Sequence, residues 1–251
     1  MAQQDGIIKI QGTLGGITFY KTRDGYMVRE KGGISKNRMK KDPAFRRTRE
    51  NGQEFGTAGR YGKFIRKSIR PLLLNSNDKR VVSRLVKQLM DIIKTDTINS
   101  RGLRTPLDGQ IELLKGFEFN SNGLLSNTLF MDYVNSLDRS TGEVEVMLPE
   151  INPTQMIAAP AGTTHFKVVS AATEIDFISG ETFSSYDSST EIEYQESLQP
   201  EIVLSTSVTP DSTLPIFHFL GIEFYQQINN DFYMLNNGSF NALSIINISK
   251  E

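Results

Sequence analysis

The chain has 251 residues, 38% of them apolar, with 20 glycines, nine prolines and neither cysteine nor tryptophan. That is enough apolar content to bury a core, and it excludes intrinsic disorder, disulfides and thiolate metal sites. The net charge of −1 conceals a division, because residues 1–115 carry 25 Lys and Arg against 11 Asp and Glu while residues 116–251 carry 3 against 18.

The halves thus hold +14 and −15, and fields of opposite sign exclude a uniformly charged domain. They predict a basic β-hairpin and helical region over 1–115 and an acidic β-sandwich-like domain over 116–251.

The chain opens with the alternating run Ile7-Ile8-Lys9-Ile10-Gln11, read as a strand. Gly12-Thr13-Leu14-Gly15-Gly16 follows as a flexible turn, then Ile17 to Lys21 and Tyr26 to Glu30 as two more strands. Asp24-Gly25 between them is a hairpin signal, since both residue types tolerate φ > 0. The three strands form a meander.

Gly32-Gly33 begins a basic linker with Lys36, Arg38, Lys40 and Lys41. Asp42-Pro43 then reads as a helix N-cap followed by proline at the first helical position. This helix carries Arg46, Arg47 and Arg49 and is expected to break near Asn51-Gly52.

A second helix is expected over about 56–70, ending at Pro71, which lacks the N–H that a helix interior needs. At 100° per residue its Arg60, Lys63, Lys67 and Arg70 gather on one arc, opposite an apolar stripe of Tyr61, Ile65, Ile69 and Leu72. Gly56, Gly59 and Gly62 each weaken the helix by up to ~1 kcal/mol relative to alanine, which implies a neighbour in close approach. A third helix follows a cap region at Ser76-Asn77-Asp78 and buries Val81, Val82, Leu85, Leu89, Ile92 and Ile93. Thr105 to Gly109 is a loop.

After Gly116 the apolar period changes to two. Glu143 to Leu148, His165 to Val168, Glu174 to Phe177, Glu191 to Tyr194 and Glu201 to Leu204 alternate polar and apolar residues as half-buried strands do. Leu214 to Tyr225 and Asp231 to Leu235 are more uniformly apolar, as in central strands, and Asn236 to Ser239 separates them from a strand over Phe240 to Ile248. The fold class is therefore α+β: an N-terminal β-meander with about three helices, then a mainly antiparallel β-sandwich or barrel-like domain.

Three segments also carry a resemblance. The run Gly12 to Lys21 with Asp24 to Glu30, the run Asp42 to Gly52, and Ala159-Pro160-Ala161-Gly162-Thr163-Thr164-His165 resemble a family of uncharacterised Bacteroidota proteins. The resemblance covers most of the chain and implies lineage and a cytoplasmic origin. It transfers no functional residue.

No catalytic set emerges from the residues. His165 and His218 lie in strand patterns without a Ser/Asp partner arrangement, so both read as structural histidines. Glu143 with Glu145, and Glu191 with Glu193, read as solvated strand faces, since a retaining glycosidase pair needs carboxylates ~5 Å apart on facing elements. Gly12 to Gly16 lacks the Gly-Lys-Ser/Thr ending of a phosphate loop and sits between strands. No cofactor or metal is expected.

The charge division carries the functional expectation. A non-enzymatic scaffold protein is expected, self-associating head to tail through its complementary halves. Arg46, Arg47, Arg49, Arg60, Lys63, Lys67 and Arg70 are the candidate assembly or polyanion-binding residues. The alternative is a sequence-tolerant nucleic-acid binder using the same cations with nearby aromatics. The start of the chain has no basic, then apolar, leader pattern, and no run approaches the ~18 apolar residues of a membrane span, so a cytoplasmic protein with no membrane partner is expected.

Overall fold

The computed structural model describes residues 2–30, 33–34, 36–76 and 78–251. Gly32 of the basic linker and Asn77 of the cap region lie outside the described residues. The described chain forms two units, Met1–Glu50 and Asn51–Glu251, and it is α+β, as its sequence patterns predict.

In the first unit, β1 (Ala2–Gln3), β2 (Gly12–Leu14), β3 (Ile17–Thr22) and β4 (Gly25–Glu30) form an antiparallel sheet in the order β1-β4-β3-β2. The strand expected over Ile7 to Gln11 does not form. Gln4 instead folds that segment back, its side chain accepting from the Ile10 N–H (2.9 Å) and donating to the Ile10 carbonyl (3.1 Å). Gly12 to Leu14, read as a turn, is the strand, and the turn narrows to Gly15 and Gly16. Their φ values of +55° and +90° suit the tight hairpin that joins β2 to β3.

The basic linker contains a short helix, α1 (Lys36–Lys41), whose Arg38 pairs with Asp42 at 3.1 Å. The Asp42 carboxylate also caps a 3₁₀ turn at Pro43–Phe45 by accepting from the Ala44 N–H.

From there α2 (Arg46–Ser68) runs unbroken through Asn51-Gly52, where a break was expected. Its buried positions Glu54, Ala58, Tyr61, Ile65 and Ser68 recur every three or four residues, and this continuous stripe holds the helix against the second unit's core despite four glycines. Pro71 ends no helix. It lies in the first turn of α3 (Arg70–Leu74), where its missing N–H costs nothing. Then α4 (Val81–Ile93) buries Leu85, Leu89, Ile92 and Ile93.

Two single-turn helices, α5 (Leu125–Thr128) and α6 (Pro153–Met156), punctuate the strands. Those strands are β5 (Val134–Leu137), β6 (Glu143–Leu148), β7 (His165–Ile175), β8 (Thr182–Ser188), β9 (Ile192–Glu193), β10 (Ile202–Ser207), β11 (Ile216–Ile228), β12 (Asp231–Met234) and β13 (Ala242–Ser249).

Pairing sorts them into two sheets. One has the order β10-β6-β5; the other has β12-β11-β7-β8, with β13 beside β11 and β9 beside β7. The run read at 165–168 and the first two residues of the run read at 174–177 belong to one strand, β7. Its small middle residues, Val169 to Thr173, show no alternation because both faces are covered. β12, read as central, is an edge strand with Phe232 and Tyr233 exposed.

The larger sheet separates two cores. Ala171, Ile175, Phe217, Phe219, Leu243 and Ile245 on one face pack against α2, α4, Ile111, Leu114, Phe117 and Phe119. Residues of opposite parity, Phe166, Val168, Leu220, Ile222 and Phe224, pack against Val146, Leu148, Ile202 and Leu204 of the smaller sheet. The second unit is thus three layers: helices, central sheet, outer sheet. The compositional boundary at 115/116 falls inside this packing, because the helical residues 51–114 have their core only where they meet the central sheet.

Candidate assembly and polyanion-binding face

Burial of Ala58, Tyr61 and Ile65 against the central sheet fixes which side of α2 faces outward. Arg60, Lys63 and Lys67 are exposed there, within an arc of about 60° at 100° per residue, and exposed Arg70 follows at the start of α3. None of the four has an ion pair among the described residues. Lys67 Nζ alone touches a neighbouring segment, donating to the Gly180 carbonyl at 3.4 Å.

Gly52, Gly56 and Gly59 lie along the same outward side, and a Cβ on any of them would meet nothing within 4 Å. The close neighbour expected at Gly56 and Gly59 is therefore absent within the described chain. Only Gly62 is crowded, by Leu85 and Leu89 of α4. The outward side of α2 is a flat, cationic strip flanked by exposed Phe55.

The other three candidate cations are used locally. Arg46 and Arg47 both pair with Glu50, at 3.2 and 3.3 Å. Arg49 donates to the carbonyls of Met39 and Asp42, each at 2.9 Å, and so ties the preceding turn to the helix. Arg60, Lys63 and Lys67 thus share the outward side of α2, Arg70 is exposed at the start of α3, and Arg46, Arg47 and Arg49 are bonded locally.

The acidic counterpart lies on the far side of the second unit. Glu143 and Glu145 project outward from β6, and Glu145 accepts from the Ser205 hydroxyl of β10 at 2.9 Å. Helices cover one face of the central sheet and this outer sheet covers the other, so cationic and anionic surfaces are held apart by a layer of strands.

Several polar clusters escaped the sequence reading. Glu54, only 2% exposed, takes a bidentate pair from Arg104 (2.7 and 3.0 Å) and a third bond from the Gly102 N–H (2.8 Å). The Arg104 hydrogen bond holds its carboxyl below the ordinary range. The signal was present, since Glu54 occupies the apolar stripe of α2 four residues before Ala58, and a charge there requires a partner.

Burial raises the Asp96 pKa, but bonds from the Asn99 N–H and side chain and the Thr105 and Ile98 N–H groups outweigh it and hold the group at about 2. Glu223 is buried between Asn75 Nδ2 (2.8 Å) and the Tyr225 hydroxyl (2.6 Å). Burial first, and then the Glu223 bond, pushes the tyrosine upward.

His218 is fully buried between the sheets. Because Ser170 Oγ donates to the Phe219 carbonyl (3.2 Å), the 2.9 Å contact runs from His218 Nε2–H to Ser170, leaving Nδ1 as an acceptor without a partner among the described residues. Burial lowers its pKa to about 4. His165 sits edge-on to Phe232 with Nδ1 near Thr164 Oγ1. Glu191 pairs with Lys167 at 2.8 Å, and that bond lowers the carboxyl. Among the described residues no group of three His, Asp or Glu side chains is placed to hold a metal ion, and no helix is long and apolar enough to cross a membrane.

No family model, curated protein or solved structure matches the chain.

Proposed function

We propose that the protein is a non-enzymatic structural component that associates with copies of itself head to tail, the basic helical face of one copy meeting the acidic outer sheet of the next. One observation carries this reading: Arg60, Lys63, Lys67 and Arg70 are exposed and unpaired, while Glu143 and Glu145 are exposed across the central sheet from them. Charges on opposite faces of one rigid layer cannot neutralise each other within the molecule. They can do so between molecules, and a contact between two unlike faces repeats, giving rings or filaments. Complementary fields of this kind speed encounter and fix orientation more than they add affinity.

Sedimentation velocity across a salt series tests the reading. Association at low salt that weakens as the Debye length contracts, and that is lost in the R60E/K63E/K67E/R70E variant, supports it. A monomer at every concentration and salt level overturns it.

The same strip supports a second reading. Four uncovered cations beside exposed Phe55 fit the backbone of a single-stranded nucleic acid with a base stacked on the ring. Contacts to four phosphates of a single strand would give a log–log salt slope of about −3 in a gel-shift titration. Absence of retardation at low salt removes this reading.

A further inference from the structure

On its helix-facing side the central sheet runs past the end of α3. Register sets Lys167 of β7 opposite Glu223 of β11, and Val169 opposite Ser188 of β8. Between these residues and Pro71, Leu72 and Asn75 of the α3 end lies a cavity of about 380 Å³. That volume falls within the ≈ 300–1,000 Å³ of small-ligand sites.

Glu223 sets the chemistry of the cavity. It is 4% exposed, and the groups bonded to it are neutral: Asn75 Nδ2 at 2.8 Å and the Tyr225 hydroxyl at 2.6 Å. Asn75 is itself fixed, because its carbonyl accepts from Asn241 Nδ2 at 2.8 Å and packs against Gly238 with no room for a Cβ. A carboxylate offers about four acceptor sites, so about two remain open. Among the described residues Glu223 makes no ion pair, and a buried charge without a counter-charge is costly. Lys167, the one cation in the lining, gives its ammonium to Glu191 at 2.8 Å. Asp187 also lines the cavity and accepts only from the N–H groups of Ser188 and Ser205, both at 2.8 Å. With Lys167 and Glu191 cancelling, two carboxylates face the cavity uncompensated.

The missing partner is therefore a cation, and the walls say which kind. No group of three His, Asp or Glu side chains is placed to hold a metal ion among the described residues. Pro71, Leu72 and Val169 are apolar, and Tyr186 and Tyr225 add rings whose faces attract cations. We propose that this cavity binds a primary alkylammonium group, its NH₃⁺ donating to the open sites of Glu223 and its carbons lying along Leu72 and Val169. The assignment is independent of self-association.

Amide chemical-shift titrations of the full chain test it with three probes. Pentylamine carries the amine, 1-pentanol has the same chain without charge, and Nα-acetyl-lysine methylamide presents a lysine side chain. Saturable binding of an amine below about 10 mM is expected, at least tenfold tighter than pentanol. The tighter of the two amines names the source, a free amine or a protein lysine. Glu223→Gln keeps the side-chain shape and removes the charge. Ser188→Phe adds a ring at an exposed lining position of an edge strand, where it disturbs no core. Each variant is expected to weaken amine binding at least tenfold, with the urea midpoint of S188F unchanged. No saturable binding of either amine, pentanol binding as tightly as pentylamine, or undiminished affinity in a folded variant overturns the proposal. Should E223Q fail to fold, S188F and the pentanol comparison decide it.

Discussion

Replacing Arg104 with alanine tests how the helical layer is held. Glu54 is 2% exposed and receives two of its three hydrogen bonds from Arg104, so Arg104→Ala strands a buried carboxylate with only the Gly102 N–H. Breaking a buried pair from one side costs about 3–5 kcal/mol. In a domain of this size each kcal/mol moves Tm by about 2–4 °C, so the melting temperature should drop by about 6–20 °C.

The effect has a pH signature. In the native chain the Glu54 carboxyl lies below its ordinary 4.5, so its contribution is complete above that value and is lost as pH falls through the lowered pKa. In the variant the uncompensated carboxyl is pushed up instead, so protonation relieves the penalty. The gap between wild type and variant should narrow as pH falls through 4.5. Urea titrations followed by circular dichroism at pH 7 and pH 4 measure both quantities. A loss below 1 kcal/mol at pH 7, or a gap that stays constant with pH, would refute the reasoning. The double variant E54Q/R104M, which removes both charges, should recover much of the loss.

His218 sits below its ordinary 6.5 at about 4, so the folded state disfavours its proton. Stability is complete above pH 6.5 and falls by about 3 kcal/mol as pH drops toward 4; His218→Gln should flatten that limb in acid titrations of unfolding. Gly56→Ala and Gly59→Ala face open space on a helix and should each raise stability by about 0.5–1 kcal/mol, read as a higher urea midpoint. A loss of self-association in those same variants would place a partner's backbone against the strip. Reversing Lys63 and Lys67 to Glu should leave the urea midpoint within about 0.5 kcal/mol of wild type, because both side chains are exposed.

What the sequence disclosed follows from where periodicity survives. The α4 stripe and the β6 and β10 alternations were legible because each element has one wet face and one dry face. The middle of β7 was not, since two layers cover it and alternation disappears. β8, with Ser184, Ser185 and Ser188 among its seven residues, has weak intrinsic preference and forms because β7 offers it a ladder.

For the candidate site, the helical angle sufficed to find Arg60, Lys63 and Lys67. It could not show that Arg46 and Arg47 would share Glu50, or that Arg49 would fold back on carbonyls, because neighbouring cations look alike until their partners are placed.

The position of β13 has a consequence for how the molecule is made. This strand lies beside β11 on one edge, while the segment around Phe117 and Phe119 bonds to its other edge through Gly116 N–H to Ile245 O, Ile245 N–H to Phe117 O and Phe119 N–H to Leu243 O. Synthesis therefore leaves the sheet unzipped along that seam until the residues after 241 have left the ribosome. Until then Phe117, Phe119, Phe217 and Phe219 lack part of their covering, and exposed apolar surface of that kind is what makes folding intermediates prone to aggregate.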